Sequence, residues 1–201
     1  MILISNNCLA SYIYTFKSVE FNHPFMWSVI NLPDIIDLIK HFTQLNFSNI
    51  TVDICNSSNP TWDNTPVLTI DKLVHINYIH TKFGKGLPYK LNGNLYVENP
   101  LIEVHQTYLR RLHRMKTLSE PPTFIINQSN AEEYTADGIK RLLTEIADTP
   151  YETHIICPKQ TQQSGIYGKI YVHNIAYCCK PGLDKKSLSK SIMDKVFPIS
   201  A

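Results

Sequence analysis

Cys8, directly after Ser5-Asn6-Asn7, is the residue whose type and setting best suit nucleophilic chemistry. A cysteine attacks as its thiolate, and a helix N-terminus lowers the thiol pKa. Met1 to Ser5 is a short apolar run of strand character. It stops at Ser5-Asn6-Asn7, residues that make turns and N-caps. From Cys8 to Thr15 apolar and aromatic side chains recur at helical spacing, so strand, turn and helix are expected in that order. Backbone N–H groups around Asn7 and Cys8 would then face an oxyanion, and the Asn6 and Asn7 side chains add amide donors. The competing reading is that Cys8 is a small packed thiol, as free cysteines often are. Cys55 and Cys157 also close apolar runs, so position alone does not select Cys8.

A thiol nucleophile needs a base. His75 and His80 fall on one expected strand, Leu73 to His80, at an odd separation. They point to opposite faces and do not share a metal. His80, at the strand's end, is the better base, and His23, before Pro24 in a loop, is a substrate-binding candidate on the same side of the chemistry. Asp71 and Asn77 are available as a third member, with nothing to choose between them. On the long helix opening at Pro100, Arg110 and Arg114 share a face and Arg111 lies about 100° round from Arg110. Such a cluster clamps a phosphate or carboxylate. It equally serves as a solvated basic face complementing a helix C-terminus. Cys178-Cys179 are adjacent and chelate poorly, so no metal is expected.

The elements that must hold these groups alternate. After the first strand and helix, Asn31-Leu32-Pro33-Asp34 opens a helix with an apolar stripe to Phe42. Strands follow at Asn49 to Cys55, Val67 to Ile70 and Leu73 to Ile79. The Pro100 helix stops at Pro121-Pro122. Thr123 to Asn127, His154 to Cys157 and Ile170 to Ala176 read as strands, with helices at Ala131 to Asp148 and Lys185 to Val196. Alternation predicts a mainly parallel, Rossmann-like open sheet with helices on both faces, and residues 1–201 as a single α/β domain. In such sheets the ligand crevice lies beyond the carboxyl ends of the strands, where Cys8 and His80 are expected.

Composition narrows the partners. The 201 residues carry a net charge of +2, with 43% hydrophobic and 18% charged residues. That suffices for a core and is too near neutral to require nucleic acid. No apolar run is long enough for a membrane-spanning helix. Five cysteines without Cys-x-x-Cys spacing, and no basic leader, predict reduced thiols in the cytoplasm. With only 7 glycines, no phosphate-cradling glycine loop occurs.

Several blocks resemble a bacterial domain family from surface-polysaccharide (exopolysaccharide, capsule) biosynthesis loci. These are Ile4-Ser5-Asn6-Asn7-Cys8 with Ile13-Tyr14, Pro24-Phe25 and Asp34; Pro66 to Asp71 with Val74 to His80; and Tyr108 to Met115. They stand in the family's order over most of the chain. Leu9-Ala10-Ser11 and Thr81 depart from the family pattern, as does the insertion Phe83 to Glu98. The Cys8 block, Pro24 to Trp27 and the Arg-Arg helix are also similar to a family labelled papain-like cysteine peptidases. Both resemblances imply an N-terminal Cys, a mid-chain His and a basic helix at one site. The expectation is a Cys-dependent acyl or related group transferase. It would act on a glycan or phosphorylated glycan precursor, require no cofactor, and take an activated acyl group or nucleotide sugar as co-substrate. Two alternatives stand beside it: a non-catalytic glycan or nucleotide-sugar binding component, and a glycosyltransferase without a covalent intermediate.

Overall fold

The computed structural model describes residues 2–6, 10, 13–14, 23–26, 28–55, 65–77, 89–91, 94–96, 100–127, 136–158 and 165–175. In chain order the first elements are β1 (Ile2–Ser5), β2 (Val29–Ile30), α1 (Leu32–His41), β3 (Ile50–Ile54), β4 (Pro66–Ile70) and β5 (Val74–Asn77). They are followed by β6 (Tyr89–Leu91), β7 (Asn94–Tyr96), α2 (Pro100–Lys116), β8 (Pro122–Asn127) and α3 (Ala136–Ile146). The last are β9 (Thr153–Pro158), β10 (Gly165–Tyr167) and β11 (Ile170–Ile175). Where the sequence reading keeps 1–201 together, contacts cluster into two compact units, Met1–Phe21 with Glu120–Ala201, and Asn22–Ser119. The second begins just before His23-Pro24 and ends just before Pro121-Pro122, punctuation that the sequence analysis reads as a loop and a helix stop.

The first unit contains a five-stranded sheet in the order β1-β8-β9-β11-β10. The β1–β8, β8–β9 and β9–β11 pairs are parallel, and only β10 runs antiparallel. The described residues of β1 and β8 are buried apart from a half-buried Thr123, as are Thr153 to Cys157 of β9. Continuous burial of this kind, with no polar alternation, marks strands covered on both faces. Among the described residues the parallel strands follow chain order without a reversal. Its outer strand is blunted locally. Leu3 N–H donates to the Tyr14 hydroxyl at 3.1 Å, which occupies a group that a neighbouring strand would otherwise take.

The second unit departs from the parallel expectation. Its four-stranded sheet, β2-β5-β4-β3, is antiparallel throughout. The reason is the connection between β4 and β5. Parallel strands need a crossover of a dozen residues or so, and these two are joined by a tight turn. Asp71 and Lys72 take positive φ values of 52° and 60°, and Leu73 N–H closes the turn on Ile70 C=O at 3.0 Å. Two positive φ values are the mark of a primed turn, which matches strand twist. Asp71 completes the corner by accepting from Asn46 N–H at 3.1 Å and Asn49 Nδ2 at 2.8 Å. These bonds hold its carboxyl below the usual carboxylate range. The β6–β7 hairpin forms a separate ribbon.

Helix packing follows the sequence stripes. Ile35, Ile36, Leu38 and Ile39 form the buried side of α1, which lies against β5. Val104, Tyr108, Leu112 and Met115 form that of α2, which lies against β3 and β4. Each fully buried aliphatic side chain contributes about 1.5–3 kcal/mol relative to exposure. Tyr108 buries its ring and donates its hydroxyl to Phe47 C=O at 3.0 Å, so its polar tip is not stranded. Among the described residues no helix is long and apolar enough to cross a membrane.

Candidate functional site

The carboxyl ends of β1 and β8 are closed by side chains, not by further strand. Asn6 N–H continues the ladder to Ile125 C=O at 3.3 Å. Its side chain then turns back, and Oδ1 accepts the Asn127 N–H at 2.8 Å. A side-chain oxygen thus takes the place of the backbone carbonyl that a longer β1 would supply. One residue earlier, Ser5 Oγ accepts the Ala10 N–H at 2.9 Å. Ala10, Ile13 and Tyr14 are helical and buried. Strand and helical residues appear in the order read from the sequence, with residues 5 and 10 bound directly to each other. Ser5, Asn6 and Asn127 together form a buried polar rim where the parallel strands end.

The predicted site residues fall unevenly on this frame. Cys8, Asn7 and His80 lie outside the described residues. Asn6 belongs to the first unit, and His23, Arg110, Arg111 and Arg114 to the second. Asn6, expected to offer its amide to substrate, uses its oxygen to end the ladder. His23 is fully buried; its Nδ1 accepts the Phe25 N–H at 3.3 Å and its ring packs on Phe25 at 6.0 Å. Arg111 Nη1 donates to Met26 C=O at 3.0 Å, so His23 and Arg111 meet at the same turn. Arg110 and Arg114 are both exposed on α2. Asp71, one of the open choices for a third member, holds the β4–β5 corner. Asn77, the other, is buried at the end of β5 opposite Val29 and Val67.

Two histidine arrangements were not singled out as sites from sequence. In the second unit, Asp34 Oδ1 accepts both the backbone N–H and the Nδ1–H of His75, each at 2.8 Å. Asn31 is the N-cap of α1 but makes no side-chain cap bond, and Asp34 sits in the first turn. In a capping box an acid at that position reaches back to the N-cap. Here it reaches across to β5, where the short β2 has already ended. It ties helix to sheet and leaves the imidazole half exposed, at 52%.

In the first unit, Glu152, His154 and His173 form a connected chain. His154 Nε2 bonds Glu152 Oε1 at 2.7 Å, and His154 Nδ1 bonds His173 Nε2 at 2.9 Å. Tyr171 stacks on His154 with ring centroids 4.9 Å apart. Burial pushes the His154 pKa below 6.5, and Glu152 partly opposes that. The sequence did carry a signal: Glu152 and His154 are two apart before an apolar run, and Tyr171 and His173 are two apart on another. Period-two spacing puts each pair on one strand face. Their convergence depends on β9 pairing with β11, which the sequence does not reveal. Among the described residues no group of three His, Cys, Asp or Glu side chains is arranged to hold a metal ion.

No family model matches the chain, and no curated protein matches it significantly. The resemblance to the polysaccharide-locus family accordingly rests on the residues quoted for it.

Proposed function

We propose that this chain is a cytoplasmic, Cys-dependent transferase of bacterial surface-polysaccharide biosynthesis, acting on a glycan or its activated precursor. The observation that carries the reading is the polar rim at the end of β1. Ser5 is bound to Ala10 and Asn6 to Asn127, so both ends of the segment containing Cys8 are held at the carboxyl edge of a parallel sheet. The proposed site lies beyond that edge, at the turn that follows β1 and not at a reversal of strand order.

In this reading the Cys8 thiolate attacks the carbonyl of an activated acyl donor. A thioester forms as the donor's leaving group departs with a proton from the His80 imidazolium. Backbone N–H groups around Asn7 and Cys8 stabilise the oxyanion. A glycan hydroxyl then attacks the thioester, losing its proton to His80 and releasing the Cys8 thiolate. Arg110 and Arg114, exposed and four apart on one helix, hold a phosphate or uronic acid; Arg111 is already engaged at Met26. Within its own unit Asn6 fixes the strand end, and within the other His23 shapes the turn that Arg111 secures.

The test is intact-mass spectrometry after incubation with thioester acyl donors. One acyl group per chain, on Cys8 and absent from Cys8→Ser, is the expected result. No adduct, together with unchanged nucleotide-sugar or glycan binding in Cys8→Ser, would give preference to the non-catalytic binding component.

A further inference from the structure

We propose that His75 is a phosphoryl-accepting residue. Its Nε2 takes the phosphoryl group of an N-phosphoryl donor such as phosphoramidate, while Asp34 holds the Nδ1–H and balances the charge that the ring gains.

The tautomer follows from which partner can donate. A carboxylate only accepts, so the 2.8 Å bond between Asp34 Oδ1 and His75 Nδ1 takes its proton from the imidazole. A neutral imidazole carries one N–H, which leaves the lone pair at Nε2. The ring makes no other hydrogen bond among the described residues. The lone pair thus belongs to a side chain that is 52% exposed, whereas the Asp34 side chain is 13% exposed. A nitrogen that is exposed, unprotonated and fixed in orientation is a nucleophile.

Helix and sheet together set that orientation. Asp34 stands in the first turn of α1, and β2 pairs with β5 only as far as Ile76. The His75 N–H therefore takes Asp34 Oδ1 in place of a strand partner, at 2.8 Å. One oxygen accepts from both backbone and ring, so the ring is tied to the strand that carries it. Thr69 lies directly opposite His75 on β4, and Thr51 lies opposite Thr69 on β3. Cross-strand partners share a sheet face, with Cβ atoms about 4.5–5.5 Å apart. A hydroxyl donor accordingly stands beside the imidazole, and this row contains no carboxylate to repel an incoming phosphoryl group.

The pairing suits a phosphoryl group better than an acyl group. An acyl group on Nε2 withdraws electrons, so the ring sheds its Nδ1 proton and the bond to Asp34 is lost. A phosphoryl group carries its own negative charge and leaves the ring basic enough to keep that proton. The ring then becomes a cation bonded to a carboxylate, and the bond to Asp34 strengthens as transfer proceeds. Asp34 meets the ring at Nδ1, so its charge does not occupy the Nε2 side.

The transfer balances. Phosphoramidate is an ammonium group bound to a phosphoryl dianion. Its phosphorus–nitrogen bond breaks as the bond from phosphorus to His75 Nε2 forms, and neutral ammonia leaves. The ring keeps its Nδ1–H throughout. Attack of water on phosphorus then releases dihydrogen phosphate and restores neutral His75 with its proton still on Nδ1. The site lies in the second unit and rests on nothing assigned to Cys8.

Incubation of the intact chain with phosphoramidate near neutral pH tests the proposal. Peptide mass spectrometry reads the rate at each histidine, and phosphorus and imidazole nitrogen NMR read the position on the ring. His105 and His113, exposed on α2, are the references. Before reaction His75 should carry its proton on Nδ1, and the phosphoryl group should appear on its Nε2. His75 should react about tenfold faster than either reference, the ratio between a charge-assisted hydrogen bond and a neutral one. Asp34→Asn retains an acceptor oxygen without the charge, and should slow His75 by about the same tenfold while leaving His105 and His113 unchanged. A proton on Nε2 of unreacted His75, phosphoryl transfer to Nδ1, a His75 rate equal to the references, or an unchanged rate in Asp34→Asn would each overturn the proposal. Should Asp34→Asn fail to fold, the ring position and the rate ratio in the wild-type chain decide the matter.

Discussion

Asn6→Ala probes the end of β1 directly. It removes the oxygen that accepts the Asn127 N–H at 2.8 Å. Asn6 is 7% exposed and Asn127 4%, so solvent does not restore the bond freely. A buried donor left without its acceptor costs about 1–3 kcal/mol. A value near 2 kcal/mol is roughly a 30-fold change in a local opening equilibrium, at about 1.4 kcal/mol per factor of ten. Amide hydrogen exchange read by NMR resolves this residue by residue. The Asn127 amide should exchange roughly 30-fold faster in Asn6→Ala. The Thr153 amide, which donates to Lys169 C=O at 3.0 Å elsewhere in the sheet, should change little. Asn6→Asp keeps an acceptor oxygen and should keep Asn127 slow. Unchanged Asn127 exchange in Asn6→Ala would refute the side-chain closure of the ladder. Equal acceleration at Thr153 would show global destabilisation in place of local release.

Three further outcomes follow from the same structure. Asp34→Ala loses both bonds to His75 and should lower stability by about 2 kcal/mol, a urea midpoint shift of about 1 M at a typical slope of ~2 kcal/mol/M. Asp34→Asn, which retains an acceptor, should lose less. Tyr14→Phe frees the Leu3 N–H on the outer strand and should cost about 1 kcal/mol, seen as faster exchange at Leu3. Acid titration should show the buried His154. Its folded pKa lies below 6.5, so the unfolded chain binds this proton first. The His154 contribution is complete above about pH 6.5 and declines as pH falls below it, by at most ~1.4 kcal/mol per pH unit for one proton. His154→Gln should flatten that part of the urea-midpoint profile; an unchanged profile would contradict it. The depressed Asp71 carboxyl acts below 3.8, outside this window.

Much of the local structure was legible because it rests on neighbouring residues. Pro33 after Asn31, with the stripe Ile35, Ile36, Leu38 and Ile39, marks α1 and its buried face. Continuous apolar runs mark β1, β8 and β9 as strands of a buried parallel sheet. The antiparallel sheet was half legible. The strands on either side of Asp71-Lys72 were read, but no Asn-Gly or Asp-Gly signal announced the turn, and its second positive φ value falls on Lys72, a residue type that rarely adopts one. Short strands such as β2 and β10 exist through their partners, so local pattern does not reveal them.

The site was less legible for a similar reason. Residue type suggests donors and acceptors, but tertiary pairing decides where they are used. The type of Asn6 does not announce that its Oδ1 accepts the Asn127 N–H. The type of Arg111 does not announce that its Nη1 donates to Met26 C=O. His154 and His173 stand nineteen residues apart and meet only through strand register.

The most direct test of the proposed chemistry is the alkylation rate of each cysteine against pH, read by peptide mass spectrometry on the folded chain. The account predicts that Cys8 reacts fastest and titrates well below the free-thiol value of about 8.5. It predicts that His80→Ala removes the shift, and that Cys157, fully buried, stays slow. A Cys8 that is inert, or that reacts like the half-buried Cys55 across the pH range, would contradict a thiolate nucleophile at the end of β1.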